Sequence, residues 1–404
     1  MTLPPFRANG THRAPRVLMV TGAYYPEISS GGLQCQRVTR ALAGRVEVQV
    51  LTTAVAPALA SREAIDGVPV TRIFVNVAST VSKLEASVRL LAALLRLTRE
   101  CDVVHIHGCS TKNVLVTAVA KLRGRRVVLS LHTAGFDEPD AVRTSGRLAW
   151  WAFRTADRYL GVSPGLVNAY LAAGLSPARI EHVPNGIDTQ IFNPADAQER
   201  DALRQRLGLP RPRPLVMFVG FFSQDKQPHV LFEAWLALQA QHIDTTLVFV
   251  GATTSPYFEV DDGLAQRMRE EARRRSLADR LVFAGVTHDV HDYLRAANVF
   301  ALPSRREGLP VALIEAMACG LPCVASRLAG STDVLIEDNA NGLLVAEGDP
   351  NAMAAAIASL LRDPARAAAF GAAARATIAG RFSANQIAER WLTAYVPAPE
   401  ESQP

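Results

Sequence analysis

A regular alternation between short apolar runs and helix-length amphipathic stretches constrains this chain more than any other feature. The apolar runs are 16–21, 46–51, 103–106, 127–131 and 159–162 in the first half, and 215–219, 246–250, 281–283, 299–302, 323–325 and 343–345 in the second. Strands that are apolar along their whole length and alternate with helices are typical of parallel sheets covered on both faces. The pattern therefore predicts an α/β protein with two doubly wound, Rossmann-like sheets.

A polar stretch rich in proline and arginine, 193–213, separates the two series of runs. At 404 residues the chain is long enough for two or three domains. We predict a first domain over 1–195 and a second over 196–382, with a last helix at about 383–404 that follows the N-cap Ser383 and packs back on the first domain. Ligands of such sheets bind beyond the carboxyl ends of the strands, so two facing domains would hold a site in the cleft between them.

Charge is distributed unevenly along the chain. The part up to Asp196 contains 22 Lys and Arg against 14 Asp and Glu, and the rest contains 21 against 24. An anionic partner is therefore expected to meet the first half. Nucleic acid is not expected as that partner, because the chain has neither a zinc finger nor an aromatic RNA-binding motif.

Targeting and redox signals are weak. No apolar run approaches the roughly 20 residues that span a bilayer, and residues 1–16 lack the hydrophobic stretch of a signal peptide. A cytoplasmic protein is therefore expected. The five cysteines form neither a C-x-x-C pair nor a zinc-ligand spacing, which favours reduced, mostly buried thiols.

Two adjacent glycines, Gly31 and Gly32, follow the first apolar run and open a helix that continues toward Leu42. Adjacent glycines let a ligand approach the backbone, and the free amides of a helix start suit a phosphate. The alternative is a glycine turn that binds nothing. The chain has neither a G-x-G-x-x-G fingerprint nor a P-loop, which disfavours dinucleotide oxidoreductases and P-loop enzymes.

The second half carries candidate binding groups after two of its apolar runs. Lys226 can neutralise a phosphate as a point charge, or it is a solvated surface lysine. Glu307 follows another run and Glu315 lies eight positions on within an apolar helix, so the two carboxylates can share a neighbourhood. Such a pair can bind sugar hydroxyls while the Gly308 and Leu309 amides receive a phosphate. The alternative is that Glu307 caps the helix and Glu315 faces solvent.

Histidines mark the ends of two strands in the first half. His132 can donate to a substrate or act as an acid or base, and the alternative is a purely structural hydrogen bond. His105 and His107 lie on another strand, where we expect them to point to opposite faces of the sheet and not to converge on a metal. No D-x-D triplet is present to hold a metal against a diphosphate. The sequence therefore predicts neither a metal nor a cofactor.

In this order, the motifs resemble those of the family 4 retaining glycosyltransferases over nearly the whole chain. The matching segments are Gly31-Gly32, His132, Ala156-Asp157, Val162-Ser163, 183–188 with Phe192, Val219-Gly220 with Lys226, 307–322 and 341–345. Any one of these could arise by chance, but the ordered set is specific. The resemblance implies the GT-B fold, in which two Rossmann-like domains face each other across a cleft.

The resemblance also implies an activity: hexosyl transfer from a nucleotide diphosphate sugar, with the anomeric configuration retained and without a metal. Negative charge grows on the leaving diphosphate, so cations and amides in that place would stabilise the transition state. The implied contacts are Glu307 with the donor sugar hydroxyls, Glu315 with the ribose, Gly308, Leu309, Lys226 and the Gly31-Gly32 turn with the diphosphate, and His132 with the donor sugar from the acceptor side.

One position departs from the family pattern. Many relatives have an arginine immediately after the glycine at position 220, and this chain has Phe221. Either Lys226 carries a larger share of the diphosphate charge or another arginine substitutes. The leading hypothesis is a glycosyltransferase of glycan or glycoconjugate assembly. The alternatives are a same-fold nucleotide-sugar epimerase or phosphorylase, and a non-catalytic sugar-nucleotide-binding relative, which Phe221 favours.

The acceptor is not specified by any motif, and a glycan, a lipid-linked or a small-molecule acceptor all fit. The segment 83–99 interleaves leucines with Lys83, Arg89, Arg96 and Arg99. A basic amphipathic helix can lie on an anionic membrane surface, where lipid-linked acceptors reside, which predicts peripheral association with the inner face of the membrane. The alternative is a helix packed on the sheet with its arginines in water.

Overall fold

The computed structural model describes residues 13–27, 29–254 and 261–396. The first domain contains β1 (Arg16–Thr21), α1 (Ser30–Ala41), β2 (Glu47–Ala54), β3 (Arg62–Ile65), β4 (Val68–Phe74), α2 (Thr80–Leu97), β5 (Val103–His107), α3 (Asn113–Leu122), β6 (Arg126–Leu131), α4 (Pro139–Thr144), α5 (Arg147–Arg154), β7 (Arg158–Gly161), α6 (Pro164–Ala172) and β8 (Ile180–His182). The second contains α7 (Ala197–Arg206), β9 (Leu215–Val219), α8 (Pro228–Ala240), β10 (Thr246–Val250), α9 (Leu264–Arg274), β11 (Leu281–Gly285), α10 (Val290–Ala296), β12 (Val299–Leu302), α11 (Val311–Ala318), β13 (Cys323–Ser326), α12 (Thr332–Leu335), β14 (Leu343–Val345), α13 (Pro350–Arg362) and α14 (Pro364–Arg381). A last helix, α15 (Ala384–Tyr395), follows.

The two sheets share one plan. The first has the strand order β3-β4-β2-β1-β5-β6-β7-β8 and the second β11-β10-β9-β12-β13-β14, and every pair is parallel except β3 with β4. Each sheet grows to one side of its first strand and then to the other, so β1 lies between β2 and β5, and β9 between β10 and β12. Such reversals are the switch points at which ligands of open α/β sheets bind. The predicted fold of two Rossmann-like domains is confirmed.

The central strands are buried on both faces, which is why the sequence shows them as unbroken apolar runs. Residues 17–20 of β1 and 215–218 of β9 expose 2% or less of their surface. The predicted limits of β1, β9 and β10 are those observed. The β3–β4 hairpin was not predicted, because β3 is a largely exposed edge strand with charged residues and no apolar run.

The chain crosses between the domains twice, and the two crossings lie side by side. The amide of Ile187 donates to the Phe382 carbonyl at 2.8 Å, and the amide of Ala384 donates to the Ile187 carbonyl at 2.9 Å. Ser383 caps α15, which packs against α1 with Trp391 and Tyr395 buried on the first domain. The exact division at residue 195 stays a prediction.

The cysteines are free thiols, and most of them are buried. Four of the five free cysteines are buried and Cys109 is partly buried, as predicted. Burial raises the pKa of the Cys101 thiol to about 11, which keeps it protonated at neutral pH. Within the described ranges, no helix combines the length and apolar character needed to cross a membrane.

Candidate active site

The carboxyl edges of the two sheets meet where Gly308 touches the end of β6. A Cβ at position 308 would overlap the carbonyl oxygen of His132, so only glycine fits at this contact. Gly308 lies in the loop between β12 and α11, at the switch point of the second sheet. This contact brings the predicted His132 side of the cleft and the predicted Glu307 side together.

Lys226 and Glu307 form an ion pair at the second switch point, although they come from different loops. The Lys226 ammonium lies 2.6 and 2.8 Å from the two Glu307 oxygens, and the Ser304 hydroxyl donates to the same carboxylate at 2.7 Å. Only 7% of the Glu307 side chain is exposed. A buried carboxylate with a cation and a hydroxyl donor is held in one orientation, as a binding group for hydroxyls requires.

Glu315 does not face solvent. It lies on the buried side of α11 and forms an ion pair with Arg37 of α1, so the contact links the two domains. The Arg37 guanidinium also stacks over the Phe192 ring at 5.2 Å, and its Nη1 is buried without a hydrogen-bond partner. No sequence motif pointed to Arg37, because its role depends on a residue 278 positions away.

The prediction that His105 and His107 point to opposite faces is wrong. Successive side chains of a strand alternate, so residues two apart lie on the same face, and the two rings lie 4.3 Å apart. His107 Nδ1 lies 3.2 Å from His132 Nε2, which extends the group to the cleft. His105 contacts the Tyr395 hydroxyl at 2.8 Å and the Ser130 hydroxyl at 2.7 Å. The three histidines form a buried row from α15 to the active-site cleft, which we call the histidine row.

Burial keeps the histidine row neutral. It lowers the pKa of His105 to about 3 and that of His132 to about 4, and it lowers the pKa of His107 well below its usual value. A neutral imidazole donates from one nitrogen and accepts at the other. His132 can therefore hydrogen-bond a substrate hydroxyl at neutral pH without adding a charge to the cleft.

Gly31 and Gly32 occupy the first turn of α1 and have different surroundings. A Cβ at Gly31 would lie 3.5 Å from His107 Cβ and 3.7 Å from His132 Cδ2, so this glycine borders the cleft. A Cβ at Gly32 would overlap the Ala23 carbonyl, and the Gly32 amide already donates to the Ser29 hydroxyl at 3.0 Å. Gly32 is thus required by packing, and its amide is not free for a phosphate in this conformation.

The Gly308 and Leu309 amides lie just before α11, which no side chain caps. Among the described residues, neither amide has a protein acceptor. The loop is held in place because the Leu309 carbonyl accepts from the Asn185 side chain at 3.0 Å. Two oriented donors ahead of a helix form a local site for an anion.

Phe221 is the residue that departs from the family pattern. Its side chain is partly exposed beside the second sheet. Asp225 of the same loop pairs with Arg305 at 3.0 Å and with Arg306. The Arg306 guanidinium stacks over the Phe136 ring of the first domain at 4.6 Å. An arginine is therefore present in the cleft, although it is held by a carboxylate.

Most predicted site residues converge: Lys226, Glu307 and Gly308 at one sheet edge, and His132 and Gly31 at the other. Glu315 joins them through Arg37. The sequence reasoning missed Arg37, Ser304 and the contact of His105 and His107 with each other and with His132. Only the row had a usable signal, since the spacing of two within a strand places His105 and His107 together.

Comparisons with known proteins are consistent across both halves. Residues 32–191 match the model of Glycosyltransferase Family 4, and residues 199–377 match that of glycosyl transferases group 1. The D-inositol 3-phosphate glycosyltransferase 1 of Catenulispora acidiphila is 30% identical over 380 residues, which cover 87% of this chain and 86% of that relative. A GDP-mannose-dependent alpha-(1-6)-phosphatidylinositol monomannoside mannosyltransferase of Mycolicibacterium smegmatis is 32% identical and covers 69% of this chain and 73% of its own. The crystal structure of Anabaena HepE with UDP-glucose has a TM-score of 0.75 at 20% identity and covers 94% of this chain and 100% of its own.

Proposed function

Since the chain belongs to the family 4 glycosyltransferases, we propose that it transfers a hexosyl group from a UDP- or GDP-sugar to an acceptor hydroxyl, with retention of the anomeric configuration and without a metal. The named relatives motivate these donors, because HepE was solved with UDP-glucose and the Mycolicibacterium enzyme depends on GDP-mannose. The acceptor is a glycan, a lipid-linked or a small-molecule compound.

One observation carries the proposal: Lys226, Glu307 and Gly308 meet the His132 strand end where the carboxyl edges of both sheets face each other. The arrangement supports a division of labour. Cation and amides lie in the second domain, where a diphosphate would bind, and a neutral histidine faces them from the first.

The charges of the second domain suit a nucleotide sugar. Glu307 accepts hydrogen bonds from the donor sugar hydroxyls and Glu315 from the ribose. An ammonium has three N–H groups, and Glu307 occupies at most two of those of Lys226. One remains for the diphosphate, which the Gly308 and Leu309 amides and the Gly31 turn also approach.

The chemical step needs no protein nucleophile in this proposal. The bond from the anomeric carbon to the diphosphate oxygen breaks, and the acceptor oxygen bonds to that carbon from the same face. The acceptor proton passes to the leaving phosphate oxygen. Lys226 and the two amides stabilise the negative charge that grows on the diphosphate, while His132 holds the sugar, and contact between the domains excludes water.

Thermal stabilisation by UDP, GDP, ADP and their sugar conjugates tests the donor. A ligand at 100 times its dissociation constant adds about 2.7 kcal/mol, which is a shift of several degrees. The stabilising donor is then incubated with acceptor candidates, with and without EDTA, and the products are identified by mass spectrometry and anomeric NMR.

Each result has a clear meaning. Transfer with retention in EDTA supports the proposal. A donor that isomerises without an acceptor would indicate an epimerase, and consumption of an oligosaccharide with free phosphate would indicate a phosphorylase. No shift with any nucleotide would favour a protein in which Phe221 has replaced a needed cation.

We also propose that α2 places the first domain on an anionic membrane surface. The helix packs on the sheet through one face, yet its outward face carries an apolar stripe of five residues: Val81, Leu84, Val88, Leu91 and Leu95, each between 37% and 69% exposed. Lys83, Arg89, Arg96 and Arg99 lie on the segment 83–99, in which Glu85, paired with Arg89, is the one acidic residue. Apolar and basic groups together match the interface of an anionic bilayer.

Co-sedimentation with vesicles tests this surface. Binding to phosphatidylglycerol vesicles and not to phosphatidylcholine vesicles is expected, and Leu84→Ser with Val88→Ser should abolish it. Val286→Ser, which removes an exposed apolar side chain of the second domain, is the matched control. Binding that is independent of anionic lipid, or unchanged in the α2 variant, would contradict the proposal.

A further inference from the structure

Lys112 lies at the switch point of the first sheet. It follows β5 and directly precedes α3, and its ammonium reaches the carboxyl end of β1. There it donates to the Thr21 carbonyl and to the Thr53 hydroxyl oxygen, both at 3.2 Å. The crevice between β1 and β5 is where the topology of this sheet places a ligand.

The Lys112 ammonium has no carboxylate partner among the described residues. The chain has four lysines. Lys83 is exposed, Lys121 pairs with Asp157 at 2.6 Å and Lys226 pairs with Glu307 at 2.6 Å. Only Lys112 is partly buried with neutral partners alone, and this burial lowers its pKa to about 8. A cation removed from water without an opposite charge costs stability, and such groups are common where a ligand supplies the charge.

The surroundings of Lys112 are open and polar. Thr53 donates its own proton to the Gly22 carbonyl at 2.7 Å, which leaves its oxygen facing Lys112 as an acceptor. Gly22 is exposed, and a Cβ there would meet no atom within 4 Å. No side chain caps the start of α3. A ligand at this edge would therefore find a cation and the uncapped amides that follow Asn113 in the first turn of α3, since the Asn113 amide itself donates to the Ser110 carbonyl at 3.0 Å.

Lys112 is also close to the candidate active site. Thr21, whose carbonyl accepts from Lys112, places its hydroxyl 3.8 Å from a Cβ at Gly31. The same Cβ would lie 3.7 Å from His132. Lys112 and His132 thus border one crevice on the side of the cleft opposite Lys226 and Glu307.

We propose that Lys112 binds an anionic group of the acceptor, with a phosphate monoester as the best fit and a carboxylate as the weaker one. This inference rests on the proposed function, because that function makes the first domain the acceptor side. It narrows the acceptor from any hydroxyl compound to one that carries a phosphate near the hydroxyl that is glycosylated. The donor diphosphate is the other anion that competes for Lys112. In the proposed function it binds Lys226 and the Gly308 and Leu309 amides instead.

Isothermal titration calorimetry with paired probes tests the assignment. The probes are glucose 1-phosphate and mannose 1-phosphate, with glucuronate, glucose and mannose as the carboxylate and neutral counterparts, and UDP and GDP for the donor site. The proteins are the wild type, Lys112→Met and Lys226→Met. We expect Lys112→Met to weaken sugar phosphate binding by about tenfold or more and to leave nucleotide binding within twofold, because a hydrogen bond to a charged group contributes about 1.5–3 kcal/mol.

Lys226→Met should show the reverse pattern. The inference is overturned if the wild type binds none of the sugar phosphates, if it binds them no better than the parent sugars, or if Lys112→Met loses nucleotide and phosphate affinity equally. These titrations need no turnover. If no transfer is ever found, selective loss of sugar phosphate binding in Lys112→Met still supports the anion site, and the two proposals fail separately.

Discussion

Each domain places one lysine at its switch point, but only one of the two lysines is neutralised by the protein. In the second domain, Lys226 after β9 meets Glu307 after β12 at 2.6 Å. In the first, Lys112 after β5 meets only the Thr21 carbonyl and the Thr53 hydroxyl oxygen. The same topology thus gives a self-compensated site and an uncompensated one.

This difference separates two kinds of binding site. Where a carboxylate must orient sugar hydroxyls, an internal cation fixes its position and compensates its charge, so the pair is part of the folded protein. Within the part of the chain that the structure describes, Lys112 has no internal carboxylate beside it, so only an anionic ligand can compensate its charge. In the proposed function, the second domain is therefore the preorganised donor site, and the first is the acceptor site that its substrate completes.

The largest expected effect is on the compensated side. Glu307→Gln keeps the size of the side chain but removes the charge that Lys226 and Ser304 hold in place. We expect kcat to fall by about 10²- to 10³-fold, since one oriented transition-state contact is worth that much. Donor consumption by liquid chromatography gives the rate. Glu271→Gln, which alters a partly exposed carboxylate of α9 that pairs with Arg274 and Arg275, should keep the wild-type rate. Near-normal turnover in Glu307→Gln would show that Glu307 does not contact the donor.

The fold was largely predictable because its signal is local. The β9 segment 215–219 is apolar throughout, as expected of a strand whose two faces are both buried. The β3 strand carries no such signal, since its exposed edge tolerates Arg62 and Glu63. The wrong prediction for His105 and His107 has a different cause. The alternation of side chains in a strand already places residues two apart on the same face, and it was misapplied.

The site was predictable only where neighbours in sequence are neighbours in space. Glu307, Gly308 and Leu309 follow one strand, so their common position was visible. The partner of Glu315 was not, because Arg37 reaches it only when the two domains are in contact. The partners of Lys112 were not visible either, because Lys112 follows β5 while Thr21 and Thr53 belong to β1 and β2.

A second contrast is acid sensitivity, because the histidine row lies wholly in the first domain. Its lowered pKa values keep the three rings neutral in the folded state, while the unfolded chain binds protons below about pH 6.5. Stability is therefore lost as the pH falls from 6.5 toward 4. Each ring lowers the free energy of unfolding by about 1.4 kcal/mol for each pH unit below 6.5. Only one such unit lies between pH 7.5 and 5.5, so the three rings together cost about 4 kcal/mol over that range.

Hydrogen exchange at pH 7.5 and 5.5, corrected for intrinsic rates, locates this loss. Protection should fall in β5 and β6 before it falls in β9 and β10, since the histidines of the second domain are exposed or only partly buried. His105→Gln, which keeps hydrogen-bonding groups near Ser130 and Tyr395, should reduce the loss by about a third. Equal loss of protection in both domains would contradict this account.

The contact between the domains gives the third effect. Arg37→Met leaves the Glu315 carboxylate buried without its cation, and we expect a loss of about 3 kcal/mol in the free energy of unfolding. Arg45→Met removes the more exposed pair with Glu389 and should cost less than about 1 kcal/mol. Chemical denaturation measures both. Adding Glu315→Leu to Arg37→Met should restore most of the loss, and a double variant as unstable as the single one would show that the charge is not the cause.

The smallest effect bears most directly on the contrast between Lys112 and Lys226, since it has the opposite sign in the two domains. Lys112→Met removes an ammonium without a carboxylate partner, so we expect the free energy of unfolding to rise by about 1 kcal/mol without ligand. Lys226→Met, which strands the buried Glu307 carboxylate, should lower it. The pH dependence tests the cause: a lysine whose pKa is lowered to about 8 makes the wild type more stable as the pH rises from 8 to 10.5, because the unfolded chain retains the proton longer. The advantage of Lys112→Met should therefore shrink over that range, and an advantage that is constant or absent would mean that Lys112 is a structural residue.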